Sequence, residues 1–150
     1  MSEYLKKLII YTDGSCLQNP GPGGWACVLI YNGIEKRICG AENNTTNNRM
    51  ELMAVIKALE ALKEKCEVYI HSDSSYVINA FNQNWIKDWE NKNWKNSQKK
   101  DVLNKDLWQK LIELTNKHTV YFIKVKGHSD DEYNNICDKM ARDCASKLKL

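Results

Sequence analysis

At 150 residues and 43% hydrophobic, the chain has the size of one globular domain with one sizeable core, and its length calls for no second. It contains no apolar run long enough for a membrane span, and Met1 to Lys7 lead into no stretch of the kind a signal peptide carries. Its formal charge of +3 sits in one place: residues 85 to 100, WIKDWENKNWKNSQKK, hold five lysines against two acids, while the other 134 residues balance at 17 basic and 17 acidic.

Leu5 to Thr12 is apolar-rich, reads as a strand and runs into the turn signal Asp13-Gly14-Ser15. The next stretch, Asn19 to Gly24, holds both prolines and three of the seven glycines and predicts a loop. Trp25 to Tyr31 and Ile34 to Ala41 flank Asn32-Gly33 in the pattern of a hairpin with a two-residue turn. From Thr45 the period changes. Leu52, Val55, Ile56, Leu59 and Leu62 mark one face of a helix ending near Lys63.

Glu67 to Ser72 alternates as a fourth strand, followed by a short helical piece from Ser74 and then the tryptophan-lysine segment. A helix from about Leu103 to Asn116 aligns Leu107, Leu111 and Leu114. Thr119 to Val125 is a fifth strand, and a last helix from about Glu132 is expected to bury Cys137, Ala141, Cys144 and Leu148. The order predicts an α/β domain over residues 1–150, with a five-stranded mixed sheet, three antiparallel strands then parallel ones, flanked by helices. The six cysteines form no C-x-x-C pair, so they read as reduced, packed thiols in a cytosolic protein rather than a zinc site or a disulfide framework.

Four carboxylates stand at element ends amid hydrophobic surroundings: Asp13, Glu51, Asp73 and Asp138. Each has a local explanation. Asp13 suits a turn, Glu51 a capping box with Asn48 three residues before it, Asp73 an N-cap, and Asp138 a helix-dipole placement. As a set they would repel one another strongly on one rim of a sheet unless a hard divalent cation took their oxygens as ligands, which points to a magnesium-type site. His128 lies in an acid-flanked loop and would carry protons only if that site is close.

Trp85, Trp89 and Trp94 interleave with Lys87, Lys92 and Lys95, which predicts a basic arm that grips a nucleic-acid backbone and lays rings against it. The alternative is tryptophans in the core beneath a solvated lysine face. Thr45-Thr46-Asn47-Asn48 offers more caps than one helix start uses, and the surplus suits a phosphate or a ribose hydroxyl.

Thr12-Asp13-Gly14-Ser15, the run Thr45 to Ala54, Asp73-Ser74, the tryptophan-lysine arm, Asp106-Leu107-Trp108, and Gly127-His128 through Cys137-Asp138 together resemble ribonuclease H type 1, in its bacterial ribonuclease HI form, from about Leu8 to about Ala145. The resemblance implies a ribonuclease H-like fold and endonucleolytic cleavage of the RNA strand of an RNA/DNA hybrid. It implies dependence on Mg2+, with Mn2+ as a substitute, and makes Asp13, Glu51, Asp73 and Asp138 the metal-binding carboxylates. By the same resemblance His128 assists proton movement or product release, Asn19, Asn47 and Asn48 contact the RNA, Thr46 and Asn104 pocket a DNA phosphate, and Tyr76, Trp85 and Trp89 face the DNA strand; main-chain groups of Cys16 would join the asparagines in reading the 2'-hydroxyl. A monomer with no membrane partner is the default expectation. The rival readings are an integrase-like strand-transfer domain and a non-catalytic hybrid-binding module.

Overall fold

The computed structural model describes residues 5–126 and 131–149. Five strands, β1 (Lys6–Cys16), β2 (Gly21–Tyr31), β3 (Ile34–Thr45), β4 (Cys66–Ser72) and β5 (Thr119–Lys124), form one sheet in the order β3-β2-β1-β4-β5. The first three pair antiparallel, and β4 and β5 add on parallel to β1, as the element order predicts. Five helices connect and cover them: α1 (Asn47–Glu60), α2 (Ser75–Asn82), α3 (Trp85–Asn91), α4 (Lys105–Thr115) and α5 (Glu132–Ser146).

Alternation along β2 divides the core between the two faces. Cys27 and Leu29 join Leu8, Ile10, Val68 and Ile70 beneath Leu52, Val55 and Leu59 of α1 and Trp108 and Leu111 of α4. Ala26 and Val28 face the other way, against Cys137 and Ala141 of α5. Of the helical stripe read from the sequence, Leu52, Val55, Ile56 and Leu59 are buried in α1, while Leu62 lies past its end at Glu60 and is only partly buried.

Two expectations for β1 and β2 change. Asp13-Gly14-Ser15 is not a turn: β1 continues to Cys16, with Asp13 opposite Ala26 and Gly14 opposite Trp25. The predicted proline-glycine loop is mostly strand, since β2 begins at Gly21 and the register shift between Gly21 and Gly23 accommodates Pro22, which has no N–H to give the ladder. Composition signalled turns at both places, and pairing overrode it: Asp13 to Cys16 pair with β2 on one edge, and Gly23 and Gly24 lie between β1 and β3.

Gly14 is required by packing rather than by a turn. A Cβ there would run into the backbone of Met50 and Glu51, so only glycine lets the first turns of α1 lie against β1. Gly24 plays the same part on the opposite face, where a Cβ would collide with the Ala141 carbonyl of α5.

The cysteine expectation holds for four of the six. Cys16, Cys27, Cys66 and Cys137 are free thiols, but Cys39 of β3 and Cys144 of α5 pair as a disulfide, their Cα atoms 6.6 Å apart across a sequence separation of 105. Cys144 is only partly buried, and Leu148, in a short 3-10 turn after α5, is 37% exposed rather than core. Closing so long a loop removes much chain entropy from the unfolded state. Reduction, or Cys39→Ala, should lower unfolding stability by about 2–4 kcal/mol, read as a shift in urea midpoint with and without reductant; identical midpoints would show that the pair does not tie β3 to α5.

Candidate metal centre and nucleic-acid interface

Three of the four expected carboxylates converge. Asp13 from β1, Glu51 from α1 and Asp73, just beyond β4, each place an oxygen within 4.8 Å of the others. Their local alternatives do not hold. The N-cap of α1 is Thr46, whose Oγ1 accepts from the Arg49 N–H, so Glu51 lies in the second turn, outside any capping box. The N-cap of α2 is Ser74, whose Oγ accepts from the Val77 N–H, which leaves the Asp73 side chain uncommitted to a cap.

Asp138 occupies the second turn of α5, past the reach of the helix dipole, and accepts a hydrogen bond from Arg142 Nε at 3.1 Å. It stands outside the tight cluster, yet near enough for its charge to bear on Asp13. His128 lies outside the described residues.

The electrostatics of the cluster are those of crowded, desolvated acids. Burial, then the charges of Asp73 and Asp138, push the Asp13 carboxyl up to about 7, against the opposing help of Glu51 and of the Gly14 N–H, which donates to Asp13 Oδ1 at 3.0 Å. Burial, then the charges of Asp13 and Asp73, push Glu51 well up too, and between the two it is Glu51 that keeps the proton, since their mutual hydrogen bond favours ionised Asp13. Glu51 Oε2 is enclosed and has no hydrogen-bond partner among the described residues. An unpartnered buried carboxylate oxygen beside two more carboxylates fits a hard divalent cation, which would take all three as oxygen ligands and remove their repulsion.

Around this cluster the expected substrate residues fall into two groups. On one side the Cys16 N–H donates to Asn47 Oδ1 at 2.7 Å, and the Asn47 N–H donates to Asn19 Oδ1 at 3.2 Å, joining the end of β1, the following loop and the start of α1. Both amide oxygens are thereby used, and the amide NH2 groups remain for an incoming hydroxyl. Asn48, one residue on, is exposed in the same first turn.

On the other side Thr46 is joined through Arg49 to Asn104. The Arg49 guanidinium donates to Asn104 Oδ1 at 3.2 Å and grips both Asp106 oxygens, at 3.0 and 2.9 Å, holding that carboxyl below its usual range. Asn104 in turn donates to the Tyr76 hydroxyl at 3.0 Å, which also accepts from Trp108 Nε1 at 2.9 Å. Thr46, Asn104 and Tyr76 thus form one connected patch. Sequence reasoning misses the pairing of Arg49 with Asp106: they lie 57 positions apart, and no local pattern links them.

The arm is helical at its start, as α3, which the sequence does not reveal because seven residues carry no legible apolar period. Its tryptophans pack against the core, as one of the two alternatives read from the sequence expects, and two of them also reach the surface. Trp89 packs with its ring 5.2 Å from Trp108 and 5.7 Å from Trp94, anchoring the arm to the core. Trp85 and Trp89 also line an open groove with Lys92, Lys95 and Asn96. Lys87 and Lys92 are exposed, while Lys95 is paired with Asp101 at 2.5 Å.

The RNase H family model matches residues 5–146. The ribonuclease H of Caldanaerobacter subterraneus subsp. tengcongensis is 59% identical over 92% of this chain and 90% of its own length, and that of Acetivibrio thermocellus is 57% identical over 93% and 95%. Among solved structures, LC9-RNase H1, described as a type 1 RNase H with the type 2 active-site motif, superposes with a TM-score of 0.87 at 28% identity, over 98% of this chain and 75% of that one. LC11-RNase H1, solved in complex with RNA/DNA hybrid, has the same fold, with a TM-score of 0.75 at 24% identity over 95% of this chain and 99% of that one.

A mixed sheet that, with its first helix, gathers three carboxylates into one cluster is the framework of a metal-dependent nuclease. The chain belongs to the RNase H family. No helix among its described residues is long and apolar enough to cross a membrane.

Proposed function

We propose that this chain, as one catalytic domain and a cytoplasmic monomer, hydrolyses the RNA strand of RNA/DNA hybrids endonucleolytically, leaving 5'-phosphate and 3'-hydroxyl ends. The observation that carries the reading is the convergence of Asp13, Glu51 and Asp73 within 4.8 Å, with one glutamate oxygen buried and unpartnered. Those three and Asp138 would hold Mg2+, or Mn2+ in its place. When bound, a pair of such ions supplies a nucleophilic water at neutral pH and stabilises charge on the leaving 3' oxygen.

The protein's own groups do the rest. Asp13 and Glu51 would give up their shared proton on binding a cation, and Arg142 donates to the Asp138 carboxylate, whose charge bears on Asp13. His128 is assigned to proton movement or product release. Cys16 through its main chain, with Asn19, Asn47 and Asn48, reads the 2'-hydroxyl that separates RNA from DNA at a given nucleotide. Thr46 and Asn104 seat a phosphate of the DNA strand, beside Tyr76, Trp85 and Trp89, and Lys87, Lys92 and Lys95 track its backbone.

Incubation with labelled hybrid, duplex DNA and duplex RNA, with and without Mg2+, tests this directly. The expected result is metal-dependent cleavage of the hybrid's RNA strand alone. Tight hybrid binding without cleavage, or cleavage of duplex DNA, would overturn it.

A further inference from the structure

The peptide unit that follows Asp73 is held at both of its polar atoms by side chains. On one side the Ser74 N–H donates to the hydroxyl of Ser72 at 3.0 Å, and Ser72 is fully buried. On the other, the Asp73 carbonyl oxygen accepts from the ammonium of Lys124, at the end of β5, at 2.6 Å. The same ammonium reaches the Val125 carbonyl at 3.3 Å.

The position explains why a side chain is needed there. The last bond between β4 and β5 runs from the Val125 N–H to the Ser72 carbonyl at 2.8 Å, after which the strands part, one toward α2 and the other toward α5. Ser74 commits its own carbonyl to the Ile78 N–H and its hydroxyl to the cap of α2. The Asp73 carbonyl is the group that neither the sheet nor the helix serves.

We propose that Lys124 is a positioning residue for Asp73: by pinning the Asp73–Ser74 peptide plane, it holds the Asp73 carboxylate against Asp13 and Glu51 and so builds the cation cage. With β4 holding the residue before it and this plane held after it, both φ and ψ at Asp73 are confined, and φ sets the direction in which the side chain leaves the backbone. Displacement of the Asp73 backbone, just past the bond from Val125 to Ser72, is otherwise a way for three crowded carboxylates to relieve their repulsion. Lys124 carries no signal in the sequence beyond its place in the fifth strand. This role rests on the metal-site reading above.

Two effects of the ammonium have opposite signs, and that makes the role testable. Were Lys124 only a nearby positive charge, its removal would tighten binding of a divalent cation. If it positions Asp73, removal loosens it, by roughly tenfold, the low end of what losing a partner behind a metal ligand costs. Lys124→Met keeps the aliphatic stem and removes the donor. Lys117→Met, an equal charge change in the turn after α4, is the control.

The experiment is Mn2+ titration of the hybrid-free protein by calorimetry, with the fold of each variant checked by circular dichroism, together with steady-state kinetics across Mg2+ concentration. Lys124→Met should bind Mn2+ about tenfold more weakly than wild type and than Lys117→Met. Its kcat should fall at limiting Mg2+ and recover at high Mg2+, with the KM for hybrid close to that of wild type. Mn2+ affinity equal to or greater than wild type overturns the positioning role while leaving the metal site standing. Absence of Mn2+ binding by wild type overturns the metal site, and this role with it.

Discussion

Asp13→Asn should reduce hybrid cleavage by at least about three orders of magnitude, roughly 4 kcal/mol of transition-state stabilisation, and at the same time make the metal-free protein more stable. The substitution is nearly isosteric. Its amide oxygen can still accept the Gly14 N–H, so the backbone around β1 and the contact with α1 have no reason to move. What is lost is the most central anion of the cluster.

The gain in stability follows from the direction of the Asp13 shift. Its carboxyl titrates near 3.8 in a free chain and at about 7 in the fold, so between those values the folded state holds a proton that the unfolded state has released. Stability of the metal-free wild type therefore falls as pH rises from about 4 to about 7, at up to about 1.4 kcal/mol per unit from this group, and the penalty is fully present at about pH 8. Glu51, shifted the same way, adds to the slope.

Urea unfolding at about pH 5 and about pH 8 in a chelator should show wild type weaker at the higher pH and Asp13→Asn much less sensitive. Added Mg2+ should restore wild type at the higher pH by mass action on the folded state. Near-normal turnover in Asp13→Asn, or a wild type equally stable at both pH values in chelator, would remove the basis for assigning Asp13 to the site.

How much of this was legible in the chain depends on the range of the interaction. The stripe Leu52, Val55, Ile56 and Leu59 was readable because helical burial repeats every three to four residues, and the Asn32-Gly33 hairpin because the turn needs residues that tolerate positive φ, here 50° and 78°. Three of the four carboxylates read as a set, Asp13, Glu51 and Asp73, converge, while their separate local roles were not legible: which residue caps α1 or α2 depends on one-residue boundaries that sequence patterns do not resolve.

What escaped is what only the fold brings together. The strand character of Asp13-Gly14-Ser15 is conferred by Trp25 and Ala26 on the neighbouring strand and by the first turns of α1 above Gly14. Cys39 meets Cys144, Arg49 meets Asp106, and Lys124 meets Asp73 across separations of 105, 57 and 51 residues, with nothing local to mark any of them. Each of these three ties one sheet or helix end to another. The chemistry is thus written in residues with motifs around them, and its support in residues without.

Replacing Lys87, Lys92, Lys95 and Lys99 together should weaken hybrid binding by roughly two to three orders of magnitude at low salt and flatten its salt dependence, by about 0.9 in log–log slope for each phosphate that is no longer neutralised. The chain's whole positive excess lies in this segment, so the rest of the surface offers no comparable field to draw a polyanion. The four are not equivalent. Lys87, Lys92 and Lys99 are exposed, whereas Lys95 has Asp101 2.5 Å away and brings less net charge to a phosphate. Restoring Lys95 alone to the quadruple variant should therefore recover less slope than restoring Lys92.

The fold should be indifferent to these changes. The arm is fastened by Trp89 against Trp94 and Trp108, and by Asn84, Asn93, Trp94 and Lys99 at positive φ, and the lysine side chains themselves lie outside that packing. Lys99 is the exception to watch, since its backbone sits at φ 61°, and asparagine is, after glycine, the substitution that best tolerates that conformation. Binding measured in Ca2+ across a salt series, by anisotropy of labelled hybrid, separates affinity from turnover. An unchanged slope in the quadruple variant would mean that the arm does not lie on the backbone, and that the substrate approaches the carboxylates from another side.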